Sequence, residues 1–158
     1  MKTAAVLTVS DSSAWGERAD LSGPAVAELL RKGDFDVVNA SIVPDEQSEI
    51  EAALVRLVES AQLVVTTGGT GIAARDVTPE ATRAVCSRFL DGIPETMRAA
   101  GMSRTPFAVL SRGLCGIRGN SLILNLPGSP SGAVQSLEAV IEILPHAVDL
   151  LAGKTEHE

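Results

Sequence analysis

Two kinds of apolar run alternate along this chain, and the alternation predicts its fold. Residues 3–10 (TAAVLTVS), Phe35–Val43 (FDVVNASIV), Leu63–Thr67 (LVVTT) and Ser121–Leu126 (SLILNL) are short, β-branched and almost continuous, as buried strands are. Between them the apolar positions fall three or four apart. Val26, Leu29 and Leu30 share one face of a helix with Pro24 in its first turn and a stop near Gly33. From Ser48, the positions Ile50, Leu54, Leu57 and Val58 recur with helical spacing. Thr78-Pro79-Glu80 reads as a helix start, with Thr78 at the N-cap and Pro79 at the first helical position. That helix would direct Ala81, Val85 and Phe89 at the core.

The second half is less regular. Residues 93–104 predict a helix with Pro94 at its start and Met97 buried, ended by Thr105-Pro106. Residues 107–111 suit a helical turn or a strand. Residues 114–118 and 121–126 would pair as a hairpin around Gly119-Asn120. A long final helix aligns Val134, Leu137, Ile141 and Leu144, breaking at Pro145 and resuming to Leu151. Strands that alternate with amphipathic helices and read as continuous apolar runs imply an α/β fold. The expectation is one domain over residues 1–153, a three-layer α/β/α arrangement around a mostly parallel sheet, with a frayed tail at 154–158.

Composition narrows the function classes. The chain of 158 residues is 45% apolar and 21% charged, with one Trp, three Phe and no Tyr, so Ala, Val, Leu and Ile must build its core. A net charge of −7 argues against non-specific nucleic-acid binding, which requires a basic surface. No apolar run approaches the roughly 18 residues of a membrane span. Cys86 and Cys115 lack metal or redox spacing and read as buried thiols in a reducing cytoplasm.

The chemistry gathers at strand ends. In parallel sheets ligands bind beyond the carboxyl ends of the strands, where the order of connection switches. Ser10-Asp11 follow the first strand, Asp45-Glu46 the second, and Gly68-Gly69-Thr70-Gly71 the third; Asn125 and Pro127-Gly128-Ser129-Pro130 close the last. The glycines would bring backbone N–H groups close to an anion, and Arg75, Arg112 and Arg118 are cations that could reach it. Taken singly, these residues have plainer uses: GGTG as a tight turn, Asp76 as a helix cap, Asp45 as a turn residue, the arginines as surface charge. The loop is neither a Walker A sequence nor a dinucleotide fingerprint, for it lacks the lysine of one and the glycine spacing of the other. His146 and His157 fall on the terminal helix and in the tail, so no Ser–His–Asp arrangement is supported. Carboxylates beside phosphate repel it by about 4 kcal/mol at ~4 Å and an effective dielectric of 20, so a bridging cation such as Mg²⁺ is expected.

In order, T-x-S-D (Thr8, Ser10, Asp11), PDE (Pro44, Asp45, Glu46), TTGGTG (66–71), RDVTPEA (75–81), PE-x-MR (Pro94, Glu95, Met97, Arg98), SRG-x-x-GIRG (111–119) and NLPGSP (125–130) resemble the molybdopterin adenylyltransferase family. The resemblance spans essentially the whole chain. It implies transfer of AMP from ATP to the terminal phosphate of molybdopterin, with release of pyrophosphate and with Mg²⁺ accompanying ATP. It further implies a cytoplasmic homotrimer that passes its product toward a molybdenum insertase. Asp45 and Asp76 match the carboxylates on which the family depends, Asp76 being a candidate Mg²⁺ ligand. Ser10, Asp11, Gly68, Gly69, Thr70, Gly71, Arg75, Ser111, Arg112, Asn125, Pro127, Gly128 and Ser129 match its substrate and nucleotide positions. The alternative within the family is a non-catalytic paralogue that binds molybdopterin and hands it on; the intact Asp45 and Asp76 favour the enzyme.

Overall fold

The continuous apolar runs are the parallel strands of one sheet; those at 2–9, 63–67 and 121–126 are covered on both faces, whereas Phe35–Val43 lies at the sheet edge and is mostly exposed. A computed structural model describes residues 1–154. The sheet comprises β1 (Lys2–Val9), β2 (Phe35–Val43), β3 (Leu63–Thr67), β4 (Arg88–Phe89), β5 (Cys115–Arg118) and β6 (Ser121–Leu126). Its order is β2-β1-β3-β6-β5-β4. The first four in that order run parallel, while β5 and β4 continue the sheet antiparallel. The helices are α1 (Asp11–Ala14), α2 (Ser22–Lys32), α3 (Gln47–Leu57), α4 (Thr78–Val85), α5 (Gly92–Met102), α6 (Pro130–Glu138) and α7 (Leu144–Leu151). The ambiguous segment is a 3-10 turn, Pro106–Leu110.

Successive side chains of a strand point to opposite faces, so each parallel strand feeds two cores. Ala4, Val6, Leu63, Val65, Leu122 and Leu124 pack with α2, α5, α6 and α7. Ala5, Leu7, Val64 and Ile123 pack with α3 and α4. The predicted three layers are therefore present. Phe35 is the sole aromatic among the largest fully buried side chains; the others are Leu and Ile, each contributing roughly 1.5–3 kcal/mol by burial. Cys86 and Cys115 are free thiols, and burial pushes them up to about 11 and about 12.

Three local expectations change. The N-cap of α4 is Val77 rather than Thr78, whose hydroxyl donates instead to the Gly68 carbonyl at 2.9 Å. Phe89 belongs to the short β4, because α4 ends at Val85, and the Arg83 guanidinium lies over its ring. The last helix breaks at residues 139–143, ahead of Pro145, which sits in the first turn of α7. Lys154 N–H still bonds the Asp149 carbonyl at 2.9 Å, and the remainder of the expected tail, with His157, lies outside the described residues.

This connectivity creates the crevice. From β1 the chain passes through α1 to α2 on one face; from the adjacent β3 it passes to α4 on the other. The departing segments diverge and leave a gap at the strands' carboxyl ends. A buried amide fixes the floor nearby. Asn125, 1% exposed, donates to the Thr66 and Thr82 hydroxyls at 3.1 and 2.9 Å and accepts from Leu114 N–H at 3.1 Å. It thereby ties β6 to β3, to α4 and to the segment entering β5. Replacing Asn125 with Ala orphans these buried groups, and denaturant unfolding should show a loss of about 2–4 kcal/mol.

Candidate active site

The crevice holds a cleft of about 450 Å³, within the usual range for small-molecule sites. Ser10, Asp45, Gly68, Gly69, Asp76, Gly128 and Ser129 all line it, so segments following four different strands meet there as the sequence implies. Two helices, α2 and α6, begin at its wall, and their N-terminal N–H groups favour anions. Ser129 caps α6 by accepting from Gly132 N–H at 3.1 Å, and Ser10 caps α1 by accepting from Ser13 N–H at 3.2 Å.

The carboxylates are held by a reciprocal exchange. Asp45 Oδ2 accepts from the Asp11 N–H at 2.9 Å, and Asp11 Oδ1 accepts from the Asp45 N–H at 2.9 Å. Arg75 then takes Asp11 in a fork, with Nε at 2.6 Å and Nη2 at 3.0 Å, and reaches Glu46 at 3.0 Å. The guanidinium bond holds the Asp11 carboxyl below the usual range, whereas burial, aided by the Asp11 and Asp76 charges, raises that of Asp45. Asp76 accepts from Ala73 N–H at 2.9 Å and lines the same cleft as Asp45.

The remaining expected residues serve these from behind. Arg112 donates to the Gly71 carbonyl at 2.8 Å, the Asp76 carbonyl at 2.8 Å and both Glu80 oxygens at 2.8 and 3.0 Å. Its own N–H bonds the Thr70 carbonyl at 2.9 Å, so it clamps the glycine loop onto α4. Of that loop, Gly68 and Gly69 reach the cleft while Thr70 and Gly71 do not, and the Gly68 N–H is already donated to the Leu126 carbonyl. A Cβ at Gly71 would lie 2.8 Å from Asp76 Oδ2, and one at Gly69 3.2 Å from Asp45 Oδ1. The glycines thus make room for the carboxylates. Ser111 and Pro127 face a smaller pocket of about 50 Å³ beside Arg98, while Asn125, expected at the substrate, lines neither pocket and is buried with its amide spent on Thr66, Thr82 and Leu114.

Residues 8–22 contribute more than their sequence shows. Asp20, on the cleft wall, accepts from the Thr8 hydroxyl at 2.7 Å, the Ser22 hydroxyl at 3.3 Å and Gly23 N–H at 3.0 Å. Ser22 and Thr67 share a further hydrogen bond at 3.0 Å, which joins α2 to β3. Arg18 also lines the cleft. The Asp-x-Ser-Gly-Pro sequence at 20–24, an acceptor placed just ahead of a helix, is the one signal that could have marked Asp20.

A family described as "Probable molybdopterin binding domain" matches residues 5–146. The molybdopterin adenylyltransferase of Helicobacter pylori is 45% identical over 152 residues, covering 94% of this chain and 86% of that protein. The enzyme of the same name from Escherichia coli is 39% identical over 165 residues, covering 94% and 84%. The crystal structure of the molybdopterin biosynthesis enzyme MoaB from Thermus thermophilus superposes with a TM-score of 0.92 at 49% identity, covering 98% of each chain. With that sheet and those matches along almost its full length, the chain belongs to the molybdopterin adenylyltransferase family.

Proposed function

We propose that this protein transfers AMP from ATP to the terminal phosphate of molybdopterin in molybdenum cofactor biosynthesis. The observation that carries the reading is the meeting of Asp45 and Asp76 in a cleft that also receives two helix N-termini. Identity to enzymes named for this reaction, at 39–45%, supports the substrate. In the reaction an oxygen of the pterin phosphate attacks the α-phosphorus of ATP. The bond from that phosphorus to the bridging oxygen breaks, and pyrophosphate leaves with the electron pair. The substrate supplies its own nucleophile, so the protein has to position and to stabilise charge.

Asp45 and Asp76 fit a hard divalent ion, since Mg²⁺ takes one or two carboxylates and leaves its other positions to water and phosphate oxygens. Among the described residues no cluster of three or more ligating side chains offers a closed protein cage. When bound, the ion neutralises phosphate charge. The α6 N-terminus and the Ser10 and Ser129 hydroxyls would receive phosphate oxygens, while Asp11, Arg75 and Arg112 hold the carboxylates and the glycine loop in place. Residues 1–153 form the catalytic domain, and we place it in a cytoplasmic homotrimer that delivers its product to a molybdenum insertase. No helix among the described residues is long and apolar enough to cross a membrane.

Pyrophosphate release should require both molybdopterin and Mg-ATP; a protein that binds the pterin yet releases none refutes the activity. Asp76→Asn keeps an acceptor for Ala73 and should lower kcat by about 10²–10³ with unchanged circular dichroism. Asp45→Asn should lower kcat comparably, yet it removes a carboxylate whose charged form burial disfavours. Because the folded pKa is raised, wild-type Asp45 costs stability in full above it, and that cost shrinks to nothing only as pH falls below the pKa of the unfolded carboxyl. Thermal unfolding should therefore find Asp45→Asn equal to or more stable than wild type at neutral pH, the difference vanishing as pH falls through the carboxyl's titration.

A further inference from the structure

A cleft that receives polyphosphate needs positive charge, and the arginines that the sequence offers for it are engaged elsewhere. Arg75 is forked to Asp11 and bound to Glu46. Arg112 spends its donors on Glu80 and on the carbonyls of Gly71 and Asp76. Arg118 donates to the Val85 carbonyl and lines a separate hollow with Val58 and Ser87. Turning any of them toward a ligand would first break these bonds. The residues lining the cleft include three acidic ones, Asp20, Asp45 and Asp76, and among the described residues one cationic one, Arg18.

Arg18 is held by its backbone and left open at its head. Its N–H donates to the Ser12 carbonyl at 3.2 Å, next to the Glu17 N–H bond to the same oxygen at 2.8 Å. Two residues further on, Asp20 is fixed by Thr8, Ser22 and Gly23. The segment is thus anchored on both sides of Arg18. No side-chain hydrogen bond or ion pair joins its guanidinium to another described residue, although the Asp20 carboxylate stands two positions away. Asp20 is turned to hydroxyls and an amide instead. A guanidinium presents five donors in a planar fork that matches two oxygens of a phosphate.

We infer that Arg18 binds a substrate phosphate in this cleft, a specific contact of this chain that rests on the adenylyl-transfer reading above. It supplies the monodentate or forked cation that Arg75 and Arg112 are not free to provide. The phosphate belongs either to the nucleotide or to the pterin, and kinetics separates the two.

The test varies Mg-ATP and molybdopterin independently for wild type, Arg18→Gln and Arg18→Lys, with melting temperatures as the control for folding. Loss of a charge-assisted hydrogen bond should raise the KM of the substrate concerned by about 10- to 100-fold in Arg18→Gln, with a smaller change in kcat. Arg18→Lys should recover part of it. A rise confined to ATP assigns the nucleotide phosphates and one confined to molybdopterin assigns the pterin phosphate; either supports the inference. Both KM values unchanged, whether or not kcat falls, overturn it. Should wild type turn nothing over, the reaction assignment fails, and calorimetry with Mg-ATP and with inorganic pyrophosphate decides Arg18 on its own. Weaker binding by Arg18→Gln than by wild type then upholds the contact. Equal binding by the two, or none by wild type, removes it.

Discussion

The site depends on how closely three backbones pass one another at Gly68. Its φ of 92° lies in the left-handed region, and a Cβ there would run into the Val9 carbonyl oxygen. On its other side, a Cβ on Gly128 would stand only 3.2 Å from the Gly68 Cα. The Gly68 N–H meanwhile extends the β3–β6 ladder by bonding the Leu126 carbonyl at 3.1 Å. The ends of β1, β3 and β6 can meet only while this position has no side chain. Every wall of the cleft but Asp45, which follows β2, hangs from one of those ends or from the loop that follows Gly68.

At the rim, two aspartates from different strands bond each other's backbone N–H groups, and their environments then divide them. Arg75 keeps Asp11 ionised and fully occupied. Asp45 receives no cation of its own, is desolvated, and stays turned to the cleft. One member of the pair is thereby a fastener, and its partner is left with oxygen lone pairs for a ligand. The same division recurs between Arg112, which is committed, and Arg18, which is not.

Much of this was legible in the sequence, for identifiable reasons. The strands β1, β3 and β6 stood out because burial on both faces removes most polar residues from them, and the rim stood out because glycines, aspartates and prolines interrupt the strands abruptly. Asp45, Asp76, Ser10 and the glycines could be placed together from topology alone. The arginines could not: Arg112 becomes a clamp because Glu80 and two carbonyls surround it, and nothing local to residue 112 announces that. Thr78 left the capping role for a similar reason, its hydroxyl being nearer a carbonyl ten residues back. Asn125, read as a strand-end residue matching a substrate position, is a buried three-way tie. Residues 15–19 carry no periodicity, so Arg18 had no pattern from which to be read, and Asp20 had only its place just ahead of a helix.

The clamp at Arg112 bears on how a ligand is received. One planar cation fixes the Gly71 carbonyl of the glycine loop, the Asp76 carbonyl and a carboxylate of α4, and its main-chain N–H fixes the Thr70 carbonyl. A turn restrained at so many points has little conformational freedom left to surrender on association, so ordering takes only a small share of the affinity. Discrimination then follows from shape and charge already in place, as a key meets a finished lock, and turnover needs no closing movement of the glycine turn.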